Sequence, residues 1–240
     1  MLTPVFWRKY FKVYDVLNSA IPYQELLQEI VKNMGVQKDD LILDAGGGTG
    51  NLTMILEKKR AMVINLDFCK EALDIYKRKN PGGQILLHDL IEKLPFQDNY
   101  FDKIVSNNAL YNIPREKRLN VMIELKRILK LNGKIVIANL HKNFKPIKIY
   151  MATIKGNTKK FGISNTIKLL TKMFVPTIKM FYYNSFIQKE YKFNKDNLFD
   201  FNEQKELLEK AEFNNISETK LIYANQGILN SATKPKLSSL

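Results

Sequence analysis

The sequence predicts an α/β domain, a mostly parallel sheet with helices on both faces and a helical insertion late in the chain. Three observations carry this. Short apolar runs alternate with amphipathic stretches of helical period from residue 22 to residue 138, the pattern of successive strand–helix–strand units. The first apolar run empties into a glycine cluster, Gly46-Gly47-Gly48-Thr49-Gly50, at the point where open α/β sheets bind ligands. About sixty residues then separate the fifth strand pattern from the next helix, far more than an ordinary crossover needs.

Each element follows from its residues. Pro22 suits a first helical turn, Leu26, Leu27, Ile30, Val31 and Met34 recur at helical spacing, and Gly35 closes the helix. Leu41-Ile42-Leu43 is a short buried strand, and residues 52–59 continue as a helix. Residues 62–66 form the second strand, ending at Asp67, and Lys70–Lys79 is a helix stopped by Asn80-Pro81-Gly82-Gly83. Ile85-Leu86-Leu87 is the third strand, ending at His88-Asp89, and 101–106 is the fourth. An amphipathic helix over 116–129 turns at Asn132-Gly133 into a fifth strand, 134–138. After the insertion come a helix at 203–211 and two strands, about 216–223 and 228–232, with a tight turn at Asn225-Gln226-Gly227. The chain reads as one domain, 1–240, with 141–200 as a helical lid or substrate insertion.

Composition narrows the function. A hydrophobic content of 45% with 26% charged residues excludes wholesale disorder. No run of about 18 apolar residues exists to span a bilayer. Residues 1–10 lack the pattern of a secretory signal. Cys69 has no second cysteine to pair with, and with His88 and His141 it makes no zinc-type spacing. No metal is expected, and the expected setting is the cytoplasm. The net charge of +14 comes from 32 Lys and 6 Arg against 24 acids. Residues 141–200 hold twelve Lys and three acids, hence +9, together with eleven of the 25 Phe and Tyr residues.

The stretch 41–50, Leu-Ile-Leu-Asp-Ala-Gly-Gly-Gly-Thr-Gly, is a strand running into a loop that opens a helix. A dinucleotide fingerprint needs a further glycine three positions after the second, but Asn51 or Thr53 stands there. A Walker-type loop needs Gly-Lys-Ser/Thr, which is absent. Asp44 beside the loop would repel a pyrophosphate and accept from the cationic amino-acid end of a ligand. Asp67 closes the second strand, 17 positions after Gly50, where a carboxylate takes the hydroxyls of a ribose. Asp89 closes the third, where it can accept from an adenine amino group with Leu90 against the ring. The three acids describe a nucleoside with a positively charged end.

In order, Asp44–Gly50, Asn65-Leu66-Asp67, His88-Asp89-Leu90 with Leu94-Pro95-Phe96, 101–107 and 127–134 resemble the motifs of class I S-adenosylmethionine (SAM)-dependent methyltransferases. The resemblance covers roughly 10–140 and resumes at 201–235. It implies a Rossmann-like seven-stranded sheet in the order 3-2-1-4-5-7-6 with the last strand antiparallel, and SAM as cofactor. Carried onto this sequence, the cofactor contacts are Asp44, Ala45, Gly46, Gly48, Gly50, Asp67, Phe68, Asp89, Leu90 and Asn107, with Tyr14 from the N-terminal segment. Val13-Tyr14-Asp15-Val16-Leu17-Asn18 and the stretch from Gly227-Ile228-Leu229 to Thr233-Lys234-Pro235 resemble the quinone-biosynthesis C-methyltransferases and related small-molecule enzymes.

Methyl transfer from a sulfonium requires alignment and exclusion of water, and a base where the acceptor must lose a proton. Asn107, Asn108, Tyr111 and His141 follow strands four and five; His141 is the candidate base and Tyr111 a candidate catalytic or lid residue. No Asn-Pro-Pro-Tyr motif follows strand four, which argues against a nucleic-acid or protein substrate, and Cys69 lies on the cofactor side. In the insertion, Ser164 or Asn165 is placed to cap a helix in which Ile167, Leu170, Phe174, Ile178 and Phe181 share one face. Lys168, Lys172 and Lys179 lie on the opposite side, and Pro176 is expected to kink or divide the helix. That apolar face either caps the active site or lies on an anionic membrane, and both uses favour a small lipophilic acceptor. Its expected classes are a quinone precursor, an amino-lipid or another secondary metabolite. The competing functions are an RNA methyltransferase using the basic insertion and a non-catalytic, membrane-associated SAM-binding protein.

Overall fold

A computed structural model describes residues 4–17, 20–191 and 195–236. The apolar run that opens the glycine loop becomes β1 (Leu41–Ala45), almost wholly buried because it lies at the centre of the sheet. Its parallel neighbours are β2 (Met62–Asp67) and β4 (Phe101–Asn107). Beyond β2 lies β3 (Gln84–Leu87); beyond β4 lie β5 (Leu129–Leu140), β7 (Gly227–Thr233) and β6 (Lys220–Ile222). The order is therefore β3-β2-β1-β4-β5-β7-β6, with β7 antiparallel to both its neighbours, as the resemblance implied. Asn132, at φ 59°, and Gly133 form an irregularity inside β5 rather than a loop before it, so that strand starts earlier than expected.

Successive residues of each strand feed opposite cores, the expected result of a pleat with period two. Leu43, Ile104, Ile135 and Ile137 pack with α5 (Arg115–Ile128) and α7 (Glu203–Lys210). Ile42, Val105, Val136 and Ala138 pack with α2 (Ile21–Met34) and α3 (Asn51–Lys58). α4 occupies the predicted range Lys70–Lys79 beside β2 and β3. Gly35 ends α2 in the left-handed conformation and returns its N–H to Val31 and Lys32.

Three expectations are corrected. The sixth strand shrinks to three residues because the Asn230 amide donates to Ser217 O and Thr219 Oγ1, interrupting the ladder where 216–219 would have joined it. Its hairpin turns at Tyr223, Ala224 and Asn225, all left-handed, one to two residues earlier than expected. The helix of the insertion begins earlier than expected: α6 (Pro146–Tyr191) starts well before Ser164. Gly162, at φ 82° and ψ 169°, divides it, while the backbone stays helical through Pro176. Asn165 donates its amide to Phe161 O instead of capping.

An N-terminal helix not foreseen in the sequence, α1 (Pro4–Leu17), packs against α6 and α4. Of the N-terminal motif, Asn18 lies outside the described residues.

Candidate active site

The C-terminal ends of β1, β2, β3 and β4 open into a cavity of about 400 Å³, roofed by α1 and touched by Ile187 of α6. That volume lies within the usual range for small-molecule sites.

The floor is the glycine loop, stitched to β2 by backbone bonds. Gly46 and Gly47 both donate to Leu66 O, at 2.8 and 3.1 Å, and Gly48 N–H donates to Asp67 Oδ2 at 2.9 Å. The Asn65 amide reaches back to Gly48 O at 3.2 Å. Two glycines are dictated by neighbours. A Cβ at Gly47 would sit 2.5 Å from Asn65 Oδ1 and 2.7 Å from Asp44 Cγ. Gly50, at φ 76°, has the Tyr76 ring where a Cβ would stand, 2.0 Å away.

Asp44 is 1% exposed. Its Oδ2 accepts from Thr53 Oγ1 at 2.7 Å, and its Oδ1 has no hydrogen-bond partner among the described residues. Burial pushes its pKa up to about 7, opposed by the Thr53 hydrogen bond and reinforced by Asp67. Asn107 Oδ1, at the end of β4, is a second buried acceptor without a partner among the described residues. A charged oxygen and an amide oxygen, both buried on one cavity wall, call for a ligand rich in donors, and a cationic one satisfies both. Asp67 divides its carboxylate between Gly48 N–H and Cys69 N–H, and burial raises it to about 6. Asp89 is exposed at the cavity edge, with one oxygen held by Ile91 N–H at 3.0 Å. Leu90 is buried there, whereas Phe68, also on the cavity lining, stands 60% exposed.

The structure thus brings Asp44, Gly46, Gly48, Asp67, Phe68, Asp89, Leu90, Asn107, Tyr14 and Tyr111 to one cavity. Ala45 and Gly50 stand behind the wall. Ala45 O accepts from Ser106 Oγ at 2.9 Å, and Gly50 makes room for Tyr76.

His141 is not on the cavity wall. Its Nδ1 accepts from Asn143 N–H and its Nε2 lies 3.0 Å from Asn225 O, so the ring is a backbone clamp in the Nε2–H form and not the expected base. Tyr111 does line the cavity, and burial raises its phenol pKa.

Beyond Tyr14, the residues of the roof were not foreseen. Trp7, Tyr10 and Phe11 of α1 line the cavity, with Trp7 stacked on Phe11 at 5.8 Å and Tyr10 on Tyr14 at 6.0 Å. Burial drives the Tyr10 phenol up to about 12 and holds that of Tyr14 well above its ordinary value. Asp15 ties this helix to the floor: Oδ1 accepts from Thr49 Oγ1 at 2.8 Å and from the Asn51 amide at 3.3 Å, and Oδ2 pairs with Lys79 at 2.7 Å. The Tyr14-Asp15 pair was a usable signal for the clamp; the aromatics before it carried none.

Residues 43–137 match the methyltransferase domain family. Sheet order, loop and acidic strand ends together define a methyltransferase fold of class I, for which SAM is the implied cofactor. Within that class the chain resembles the quinone-methyltransferase branch. The demethylmenaquinone methyltransferase of Oceanobacillus iheyensis is 32% identical over 52% of this chain and 56% of its own length. That of Staphylococcus aureus strain MRSA252 is 28% identical over 85% of this chain and 82% of its own. The chain spans about half the length of the curated relatives it first matches. A crystal structure of a putative SAM-dependent methyltransferase from Methanococcus maripaludis superposes with a TM-score of 0.61 at 20% identity, covering 95% of this chain and 92% of its own, a likeness of fold.

Among the described residues no cluster of metal-ligating side chains is present, and no helix is long and apolar enough to cross a membrane.

Proposed function

We propose that this chain is a SAM-dependent methyltransferase acting on a small, lipid-soluble acceptor of quinone type, in the cytoplasm. The observation that carries the reading is the two-ended cavity: unpaired buried acceptors and carboxylates at the strand ends, and Trp7, Tyr10, Phe11 and Tyr14 opposite them. Demethylmenaquinone methyltransferases as relatives agree with an aromatic, lipophilic acceptor.

The fit to SAM rests on Asp44 and Asn107. Asp44 Oδ1 and Asn107 Oδ1 would hold the cationic amino-acid end, Asp67 the ribose, and Asp89 with Leu90 and Phe68 the base. When bound, SAM supplies a methyl group on a positively charged sulfur. The protein orients and encloses. α1 closes the cavity against water, and the clamp from Asp15 to Thr49 and Asn51 holds that roof in register with the glycine loop. Tyr111, kept protonated by burial, holds its phenol proton on the acceptor side, where it can donate to an acceptor oxygen.

The test is transfer of radiolabelled methyl from SAM to a short-chain demethylated naphthoquinol, with wild type and Asp67→Ala compared. Transfer that disappears in Asp67→Ala together with SAM binding supports the reading. SAM binding without transfer to any aromatic acceptor in a panel of quinols and phenols refutes the substrate class. Absence of SAM binding refutes the activity itself.

A further inference from the structure

The sequence left α6 two uses for its apolar face, and the structure separates them. What α6 buries against the body is mostly small and polar: Thr153 and Thr166 are 1% and 4% exposed, Asn157 is buried, and Met173 is the buried apolar residue among them. Of the five residues expected to cap the site, Leu170 is half-buried and the other four are exposed. Ile167, Phe174, Ile178 and Phe181 are 56, 62, 53 and 58% exposed. At about 100° per residue they form, with Ile163, a strip about 60° wide along the outer surface after Gly162. Lys168, Lys172 and Lys179 form a parallel strip; exposed Val175 and Tyr182 lie between the two, and exposed Phe186 lies at the edge of the lysine strip. An apolar strip of this length is not left in water without a use.

We infer that this face of α6 docks the protein on an anionic lipid surface, α6 lying in the plane of the interface. Charge decides the occupant. α6 carries eight Lys and one acid, Glu190. A second copy meeting this face symmetrically would set lysine strip against lysine strip, which repels. Acidic headgroups attract the lysines while the acyl boundary takes the Ile and Phe strip. The helix lies on the membrane; no described helix crosses it.

The same face leads to the active site, and here the inference rests on the lipid-soluble acceptor proposed above. Tyr182 contacts Phe186 at 4.9 Å, Phe186 contacts Phe6 at 6.3 Å, and Phe6 contacts Tyr183 at 5.3 Å. Tyr183 reaches Tyr10 at 6.4 Å and Phe6 reaches Trp7 at 5.5 Å. Tyr10, Trp7 and Ile187 line the cavity. A row of aromatic contacts therefore links the docking face to the roof, which sets the cavity beside the lipid surface.

The experiment is flotation of the full chain with phosphatidylcholine vesicles, with and without phosphatidylglycerol. Wild type floats with the anionic vesicles and stays behind with the neutral ones. Reversing three lysines (Lys168→Glu, Lys172→Glu, Lys179→Glu) lowers partitioning by about a hundredfold, at about fivefold per lysine. Phe174→Ser with Ile178→Ser also releases the protein. All five positions are outside the cavity, so SAM affinity by calorimetry and methylation of a water-soluble acceptor stay at wild-type level, while methylation of a vesicle-embedded acceptor falls. Failure of docking is thus read separately from failure of the activity. Three results overturn the inference: no flotation of wild type, flotation unchanged in both variants, or loss of self-association or RNA binding in the variants without any vesicle binding in wild type.

Discussion

Replacing Asp44 by Asn keeps the shape of the side chain and removes its charge, which makes it the sharpest probe of the cavity. In the wild type Thr53 Oγ1 donates to Oδ2, leaving Oδ1 as the buried oxygen without a partner. If the Asn oxygen keeps the Thr53 bond, its NH₂ group takes the Oδ1 position and presents donors to a donor-rich ligand. If the amide turns the other way, a neutral oxygen replaces a charged one. A hydrogen bond to a charged group contributes about 1.5–3 kcal/mol, and leaving a buried charge without its partner costs about 2–5 kcal/mol. The expected loss of SAM affinity is therefore about a hundredfold. S-adenosylhomocysteine, which keeps the ammonium and lacks the sulfonium, should lose as much.

The pH dependence gives the second half of the test. Asp44 is raised to about 7, so below that pH it must lose a proton before it can hold a cation. SAM affinity of the wild type should improve as pH rises through about 7, approaching a tenfold change per unit on the acid side. Asp67, at about 6, adds to the fall at lower pH. Asp44→Asn should lack the component near 7. Stability runs the other way. A carboxyl whose folded pKa is raised contributes stability at low pH that is lost between about pH 4 and about 7. At pH 8 the ligand-free Asn variant should melt at or above the wild type. Titration and scanning calorimetry across this range decide the matter: an affinity within about threefold of wild type, with the same pH slope, refutes the placement of the cation at Asp44.

Other substitutions separate architecture from chemistry. Gly50→Ala places a methyl group in the Tyr76 ring at a left-handed position, and should cost about 3 kcal/mol of stability, read as a melting point lower by about 9 °C. Arg118 is 2% exposed; it donates to Tyr111 O, Ile113 O and Asn197 O, pairs with Glu203 and lies 4.5 Å over the Phe199 ring. Arg118→Ala strands those carbonyls and should destabilise by about 3–5 kcal/mol in denaturant titration. His141→Ala should leave kcat within about threefold of wild type, since that ring clamps backbone outside the cavity. Tyr111→Phe should lower kcat by about fivefold while leaving the pH–rate profile unmoved, because the phenol stays protonated throughout.

The sheet and its cofactor edge were legible because their causes are local. Periodicity marks strands with one core on each face, and a glycine loop between a strand and a helix announces itself whatever packs around it. α4 fell on its predicted residues because Asn80-Pro81-Gly82-Gly83 leaves a helix no way onward. The ends of β6 were not legible, since they depend on an Asn230 side chain arriving from β7. His141 looked like a base because it follows a strand on the substrate side. Only the fold shows the carbonyl of Asn225, 84 residues away in sequence, waiting for it. The apolar face of α6 was visible as a pattern, but a pattern does not say which side of a helix faces the protein.

α1 joins these two kinds of information. One end of it, Asp15, grips Thr49 and Asn51 of the cofactor loop, and the other, Phe6, touches Tyr183 and Phe186 of α6. Between them Tyr10, Phe11 and Tyr14 form the roof. A movement of α1 that admits an acceptor must therefore pull on the loop carrying Gly48 and, through it, on Asp67. Cutting the clamp with Asp15→Ala should weaken SAM binding although Asp15 is not among the residues lining the cavity, and should loosen α1 in hydrogen exchange. If SAM affinity falls while exchange in α1 stays at wild-type rates, the roof and the floor are independent, and α1 is a fixed wall rather than the door.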